Sequence, residues 1–283
     1  METTEHGPIA DAIGKTKQIF KVPNTTLCSV RSMRAITAGD GAKRDEFDKK
    51  DVYATTTTCR VFELLKACGI PVAYHSQHGD TEFTAEWTEM IPLEIVARRI
   101  IGEKSSYRKR HLHVPAGHRF ETLVVEFFLK TTGKRFGAYT FPKDDPLITS
   151  YGLHGISVQR PDMPSWDLHD NLAITIPPKD VYGKDADVWF PYRELEQLVR
   201  KVFLVLEGAW ATQNLRLCDI KIECGYTATG KLVVSDVIDP DSWRLIDAHG
   251  RGLDKQGYRD GADLKVVADV YAEAARRVAW FDS

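Results

Sequence analysis

The sequence predicts an α+β, two-lobed chain, and three observations carry that expectation. The first part is rich in short apolar segments broken by turns. The second part mixes apolar runs with two long segments of helical period. The composition is ordinary for a globular chain, with 43% hydrophobic and 28% charged residues among 283. A chain of this length can bury a substantial core as one large domain or two closely packed lobes.

Residues 18–22 and 27–31 read as strands separated by the turn Pro23-Asn24-Thr25. A glycine-containing loop follows at 37–42. Val52, Thr55, Cys59, Phe62 and Leu65 then recur at helical spacing and end at Gly69, which suits a C′ position. The threonines at 55–58 oppose helix locally, so this helix must draw on tertiary packing. Strands are expected near 72–75 and 83–87. Residues 91–101 mix apolar and charged side chains without a clean period, whereas 123–129 read as a continuous apolar run of strand length. A loop or small excursion is expected at 131–151. Leu195, Leu198, Val202 and Leu206 mark a helix over 191–213, two strands should flank 227–230, and an amphipathic helix over 262–281 closes the chain.

Composition excludes several function classes. The formal net charge of -2 provides no global basic field for nucleic acid or membrane. The five cysteines contain no CxxC pair, and their odd number argues against a disulfide framework or zinc site. No apolar stretch reaches the length of a membrane span, and the N-terminus lacks the basic and apolar regions of a signal peptide, so the cytoplasm is the default expectation.

The most informative segment is 217–225, where Asp219, Lys221 and Glu223 alternate with Cys218, Ile220, Ile222 and Cys224. This predicts a half-buried strand whose exposed face carries carboxylate, ammonium and carboxylate. If the chain turns at 227–230 with a four-residue loop, Asp236 falls across from Lys221 and joins that face. Carboxylates so gathered would repel unless a cation neutralised them, and Mg²⁺ bound with nucleotide phosphates suits the set. A solvated face of ordinary ion pairs is the alternative.

Gly14-Lys15-Thr16-Lys17 places two lysines beside a glycine, suited to phosphate, or simply a basic turn. Arg98-Arg99 and Arg108-Lys109-Arg110 bracket Ser105-Ser106, a grouping suited to a terminal phosphate or to a basic surface helix. The stretches 239–244 and 254–259 read as polar loops beside the charged strands.

Nine ordered stretches then make the chain resemble the phosphoribosylaminoimidazole-succinocarboxamide (SAICAR) synthetase family: GKTKQIF, ITAGDGAKR, EMIPLEIVARR, SSYRKR, FFLK, DDP, LCDIKIECG, SDVIDPDSWRL and DKQGYRD. In motifs it most resembles the synthetase domain of the animal bifunctional enzyme. The resemblance implies one catalytic domain over 1–283, with a β-rich lobe about 12–88 and an α/β lobe about 89–283. The fold it implies is ATP-grasp-related, with antiparallel sheets and a C-terminal helix. The activity it implies is ATP-dependent ligation of carboxyaminoimidazole ribotide (CAIR) to L-aspartate through an acyl phosphate, with ATP and Mg²⁺ as cofactors.

By the same resemblance, Lys15 and Lys17 contact ATP phosphates, Glu89 and Met90 lie at the adenine, and Lys130 and Lys221 serve the nucleotide. Glu223 and Asp236 hold Mg²⁺, and Lys221, Asp219 and Asp236 form the catalytic group. Arg98, Ser105 or Ser106, and Arg244 grip the ribotide phosphate, while Asp40, Asp145, Asp241, Lys255 and Arg259 line the substrate region. Partners are small molecules, with neither nucleic acid nor membrane among them, and a homo-oligomer is allowed.

The segment between Arg98 and Ser106 is about two residues longer than the family pattern, with serine where glycine is expected. The loop 131–145 is also longer, and Ile246 replaces a tryptophan. These departures leave open a paralogue that joins another phosphorylated acid or amine. A third reading, an inactive nucleotide-binding paralogue, is opposed by the retained Lys221, Glu223 and Asp236.

Overall fold

Antiparallel sheet and amphipathic helix divide the chain between two units. The computed structural model describes residues 9–39, 42–141, 145–152, 154–163, 174–182 and 191–281. The first unit takes residues up to 89, then 225–242 and 249 onward; the second takes 90–224 and 243–248.

In the first unit, five strands form one antiparallel sheet in the order Ala12–Ile13, Lys17–Lys21, Leu27–Ser32, Glu82–Glu86, Tyr74–Gln77. The threonine-rich segment is the helix Lys50–Ala67. Its buried hydroxyls show how packing overrides propensity: Thr55 Oγ1 lies 2.8 Å from Ser32 Oγ, and Thr58 Oγ1 donates to the Ile238 carbonyl at 3.3 Å. Gly69, at φ 75, ends the helix as expected, with the Ile70 N–H reaching back to the Leu65 carbonyl.

The closing helix is Leu264–Val278, capped by Asp263, whose carboxylate accepts from the Lys265 N–H at 2.7 Å. Its Val267 and Tyr271 pack with Ile36, Phe47 and Tyr258 in one buried cluster. The strands flanking 227–230 are Cys224–Thr227 and Leu232–Val234, and Thr88–Met90 completes that three-stranded sheet. Gly225 permits the close approach, because a Cβ there would lie 2.8 Å from the Glu89 carbonyl oxygen.

The second unit is built on seven strands in the order Ile174–Ile176, Gly155–Gln159, Leu147–Gly152, Arg119–Leu129, Leu93–Ile100, Arg216–Ile222, Trp243–Ile246. Every neighbouring pair is antiparallel. Leu93–Ile100 is an interior strand buried on both faces, which explains why its sequence shows no clean alternation. The helix Tyr192–Ala211 buries Leu195, Leu198, Val202, Phe203, Leu206 and Trp210, as its period predicts. The excursion at 131–151 holds the small hairpin Arg135–Phe136 with Tyr139–Thr140, and the sheet strand Leu147–Gly152.

Two expectations are corrected here. Asp236 does not face Lys221: Arg216–Ile222 lies between Leu93–Ile100 and Trp243–Ile246, and Lys221 pairs with Val96. The local hairpin begins only at Cys224, because the preceding strand finds both of its partners far away in sequence. Nor is the charged face open to solvent, since Asp219 and Glu223 are 7% and 3% exposed.

All five cysteines are free; Cys28, Cys59, Cys218 and Cys224 are buried and Cys68 is exposed. Among the described residues, no helix is long and apolar enough to cross a membrane.

Candidate active site

The period-2 geometry of four adjacent strands gathers charge on one face of the second unit's sheet. Asp219 is the register partner of both Arg98 and Arg244 on its two flanking strands. Its Oδ2 accepts from Arg98 Nη1 at 3.1 Å and from Arg244 Nη1 at 2.6 Å. Arg98 Nε donates to Glu126 Oε2 at 2.6 Å, and Arg110 Nη2 donates to the other oxygen of the same carboxylate. The result is an alternating chain of five charges: Arg110, Glu126, Arg98, Asp219, Arg244. Arg99 points the other way, to Glu207 on the helix, so only the first of the two adjacent arginines joins the cluster.

Burial pulls the Arg98 guanidinium down, but Glu126 and Asp219 more than offset it and hold its pKa above the ordinary value. Arg110 moves the opposite way: burial lowers it, Glu126 compensates only in part, and Arg98 adds repulsion.

Ser106 Oγ lies 3.4 Å from Arg98 Nη2. Ser105 is instead the buried N-cap of the short helix Ser106–Arg110, accepting from the Tyr107 N–H at 3.3 Å. The residues that lengthen this segment sit in a turn closed by the Ser105 N–H on the Gly102 carbonyl, with Glu103 and Lys104 exposed. Gly102 leaves room for Arg244, whose Cδ would stand 3.3 Å from a Cβ at that position.

Four residues along Leu93–Ile100 from Arg98, about 13 Å away at strand rise, a second cluster forms. Lys221 Nζ donates to Glu94 Oε1 at 2.6 Å and to Glu223 Oε1 at 3.1 Å. Lys130 Nζ pairs with the other oxygen of Glu223. Burial opposes the Lys221 ammonium, yet Glu94 and Glu223 outweigh it and raise its pKa. Asp145 accepts from the Thr131 N–H at 2.7 Å; burial first, then Glu94, pushes its carboxyl up. Between the two clusters lies buried Val96, which packs with Phe128 and Leu147 on the strands alongside.

In the first unit, Lys17 pairs with Asp236, and Lys15 is exposed beside it in sequence. Glu89 and Met90 are both exposed. Asp241 and Lys255, expected at the substrate, are drawn into a buried network: Lys255 Nζ donates to Asp241 Oδ2 at 2.8 Å, and Tyr271 OH donates to Asp241 Oδ1. Lys50, 1% exposed, lies 3.9 Å from Asp239. Burial, then Asp241, pushes the Asp239 carboxyl up to about 6. Burial also works against the Asp241 charge, but Lys50 and Lys255 outweigh it and hold that pKa below the usual range. Arg259 remains exposed, and Asp40 lies outside the described residues.

With this geometry in place, residues 11–135 and 190–278 match the SAICAR synthetase family. The chain belongs to that family. It is 35% identical over 271 residues to a phosphoribosylaminoimidazole-succinocarboxamide synthase of Roseiflexus castenholzii, covering 94% of this chain and 91% of that protein. It is 34% identical over 255 residues to the bifunctional carboxylase and succinocarboxamide synthetase of Drosophila melanogaster, covering 89% of this chain and 52% of that protein. The chain thus spans about half of the animal relative. Among solved structures, a type-2 SAICAR synthetase in complex with ADP superposes with a TM-score of 0.71 at 25% identity, covering 94% of this chain and 96% of that one. The fold is therefore that of the SAICAR synthetases, α+β with antiparallel sheets and a C-terminal helix.

Sequence reasoning missed Glu94 and Glu126 as members of this SAICAR synthetase face, and it named Arg110 only as part of a basic run. Glu126 lies within the run read as continuously apolar, and that charge inside a buried strand was the available signal.

Proposed function

We propose that this chain condenses CAIR with L-aspartate, using ATP, to give SAICAR, ADP and phosphate. One observation carries this reading: a single sheet face offers arginines and a serine at one end, an apolar floor, and a lysine–carboxylate cluster at the other. The about 13 Å between the two ends suits a ribotide lying along the strand, its phosphate toward Arg98, Ser106 and Arg244. The heterocycle then covers Val96 and Phe128, and its carboxylate reaches the Lys221 end.

The chemistry follows from that placement. A carboxylate is a poor electrophile until phosphorylated. Its oxygen attacks the γ-phosphorus, ADP leaves, and the aspartate amine then attacks the acyl carbon and expels phosphate. Lys130 and Lys221, with Lys15 and Lys17, offset the charge that gathers on the phosphoryl oxygens. Glu89 and Met90 are assigned to the adenine. Glu223 and Asp236 are oxygen donors of the hard type Mg²⁺ prefers, and each now carries a lysine that nucleotide phosphates can attract away. When bound, Mg²⁺ would neutralise phosphate charge. Asp145 and Arg259 are assigned to the substrate and acceptor region.

A second reading, favoured by the lengthened segment before Ser106, changes the acid or the amine. The exposed turn that absorbs the extra residues, and Ser106 beside Arg98, favour the first.

The test is product formation from ATP, Mg²⁺, CAIR and L-aspartate, followed by mass spectrometry. Succinocarboxamide is expected, with kcat lowered about 10²- to 10³-fold in a folded Lys221→Met variant. ATP turnover that yields no succinocarboxamide, but proceeds with another acid, would replace this reading with the second.

A further inference from the structure

Five charges are withdrawn from water in the arginine cluster, and Glu126 sits where no substrate-binding residue was expected. Its carboxylate is 9% exposed and holds two guanidinium groups, one on each oxygen. On Arg98 it takes Nε, next to the Nη2 arm that faces Ser106, while Asp219 takes Nη1. On Arg110 it takes Nη2, while Nη1 donates to the Pro161 carbonyl at 2.5 Å. Arg110 therefore has no arm directed at Ser106, and its contribution passes through Glu126. Asp219 does the corresponding work between Arg98 and Arg244. Three cations against two anions leave one uncompensated positive charge among the described residues. In a buried setting such a surplus calls for an anion.

Building on the reading of this face as the ribotide site, we infer that Glu126 is a positioning residue: by fixing the Nε edge of Arg98, it sets the enzyme's preference for a phosphorylated over a dephosphorylated acid. Arg110 anchors that carboxylate from the far side. A guanidinium held at Nε by Glu126 and at Nη1 by Asp219 presents Nη2 in a fixed plane, and a charge-assisted contact with phosphate depends on that orientation. Loss of the anchor costs alignment at the phosphate, with the reacting atoms at the Lys221 end left in place.

The test uses the full chain with saturating ATP and L-aspartate, and compares CAIR with its dephosphorylated nucleoside. In Glu126→Gln, KM for CAIR is expected to rise about ten- to a hundredfold, the range of one charge-assisted contact. Meanwhile kcat should change less than about threefold and KM for ATP should stay put. The preference for CAIR over the nucleoside should fall by the same factor as KM rises.

The double variant E126Q/R110M removes a cation together with the anion, so the cluster regains its original net charge. It should keep the raised KM, because Asp219 alone then holds Arg98; a wild-type KM in this variant would reduce Glu126 to a counterion and overturn the inference. If E126Q alone does not fold, the double variant decides. Glu126→Asp, which keeps the charge but withdraws the carboxylate by a methylene, should raise KM by a smaller factor. Wild-type enzyme that uses the nucleoside as readily as CAIR would instead overturn the phosphate reading of the cluster itself.

Discussion

Each unit buries a network of charged side chains, and the two networks differ in balance. In the first unit, Lys50 and Lys255 face Asp239 and Asp241, with the Tyr271 hydroxyl closing the set. Cations and anions are equal there, and the side chains satisfy one another. In the second unit, the carboxylates that Arg98, Arg110 and Arg244 face among the described residues are Glu126 and Asp219. Buried pairs resist disruption because losing one member strands the other away from water. A balanced network therefore acts as a cross-link, here joining the start of one helix, the 239–242 loop and the closing helix. An unbalanced one is, in the reading proposed above, a place for a ligand. Position in the sequence does not separate these roles, since Asp241 and Lys255 belong to family motifs as surely as Arg98 and Arg244 do.

This contrast can be broken by experiment. Lys50→Met should cost about 3–5 kcal/mol of stability, read by chemical denaturation, while KM for CAIR is unchanged in the folded fraction. A raised KM at wild-type stability would reverse the assignment. Arg244→Met should do the opposite: KM for CAIR rises about ten- to a hundredfold, with a melting temperature close to wild type.

The pH dependence sharpens the comparison further. Asp239 titrates at about 6 in the folded protein, above the roughly 3.9 of an unfolded chain. Between about pH 4 and 6 the native state thus holds a proton that the unfolded chain has released, so this group's contribution makes stability fall as pH rises. Asp241, held low, contributes stability that is lost in stronger acid. Relative to Asp239→Asn, the wild type should lose about 1–2 kcal/mol across that window, measured by urea unfolding at several pH values. A difference that does not change with pH would remove Asp239 from the titration.

Much of the fold was legible because it follows local rules. The helices Tyr192–Ala211 and Leu264–Val278 show their apolar period directly, and Gly69 ends Lys50–Ala67 where its backbone freedom is needed. Pairing between distant strands was not legible. Arg216–Ile222 finds its partners at residues 93–100 and 243–246, so a register argued from the nearest turn misplaced Asp236. The candidates that motifs carried, such as Lys221 and Arg98, could be named from the sequence, and each falls within a charged cluster. Glu126 was hidden because an apolar run draws attention to its period and away from its single charge. A carboxylate in such a run is costly unless partnered, and its partners came from a neighbouring strand, Arg98, and a short helix, Arg110.

The threading of the chain through its two units has a consequence for synthesis. The first unit begins before the second in the chain, yet its helix Lys50–Ala67 packs against Leu264–Val278, which is made after the second unit. Residues 90–224 and 243–248 have emerged before that helix does. Of the two units, the one begun first is thus completed second. A nascent chain must shield the unfinished face of Lys50–Ala67 until Leu264–Val278 has emerged.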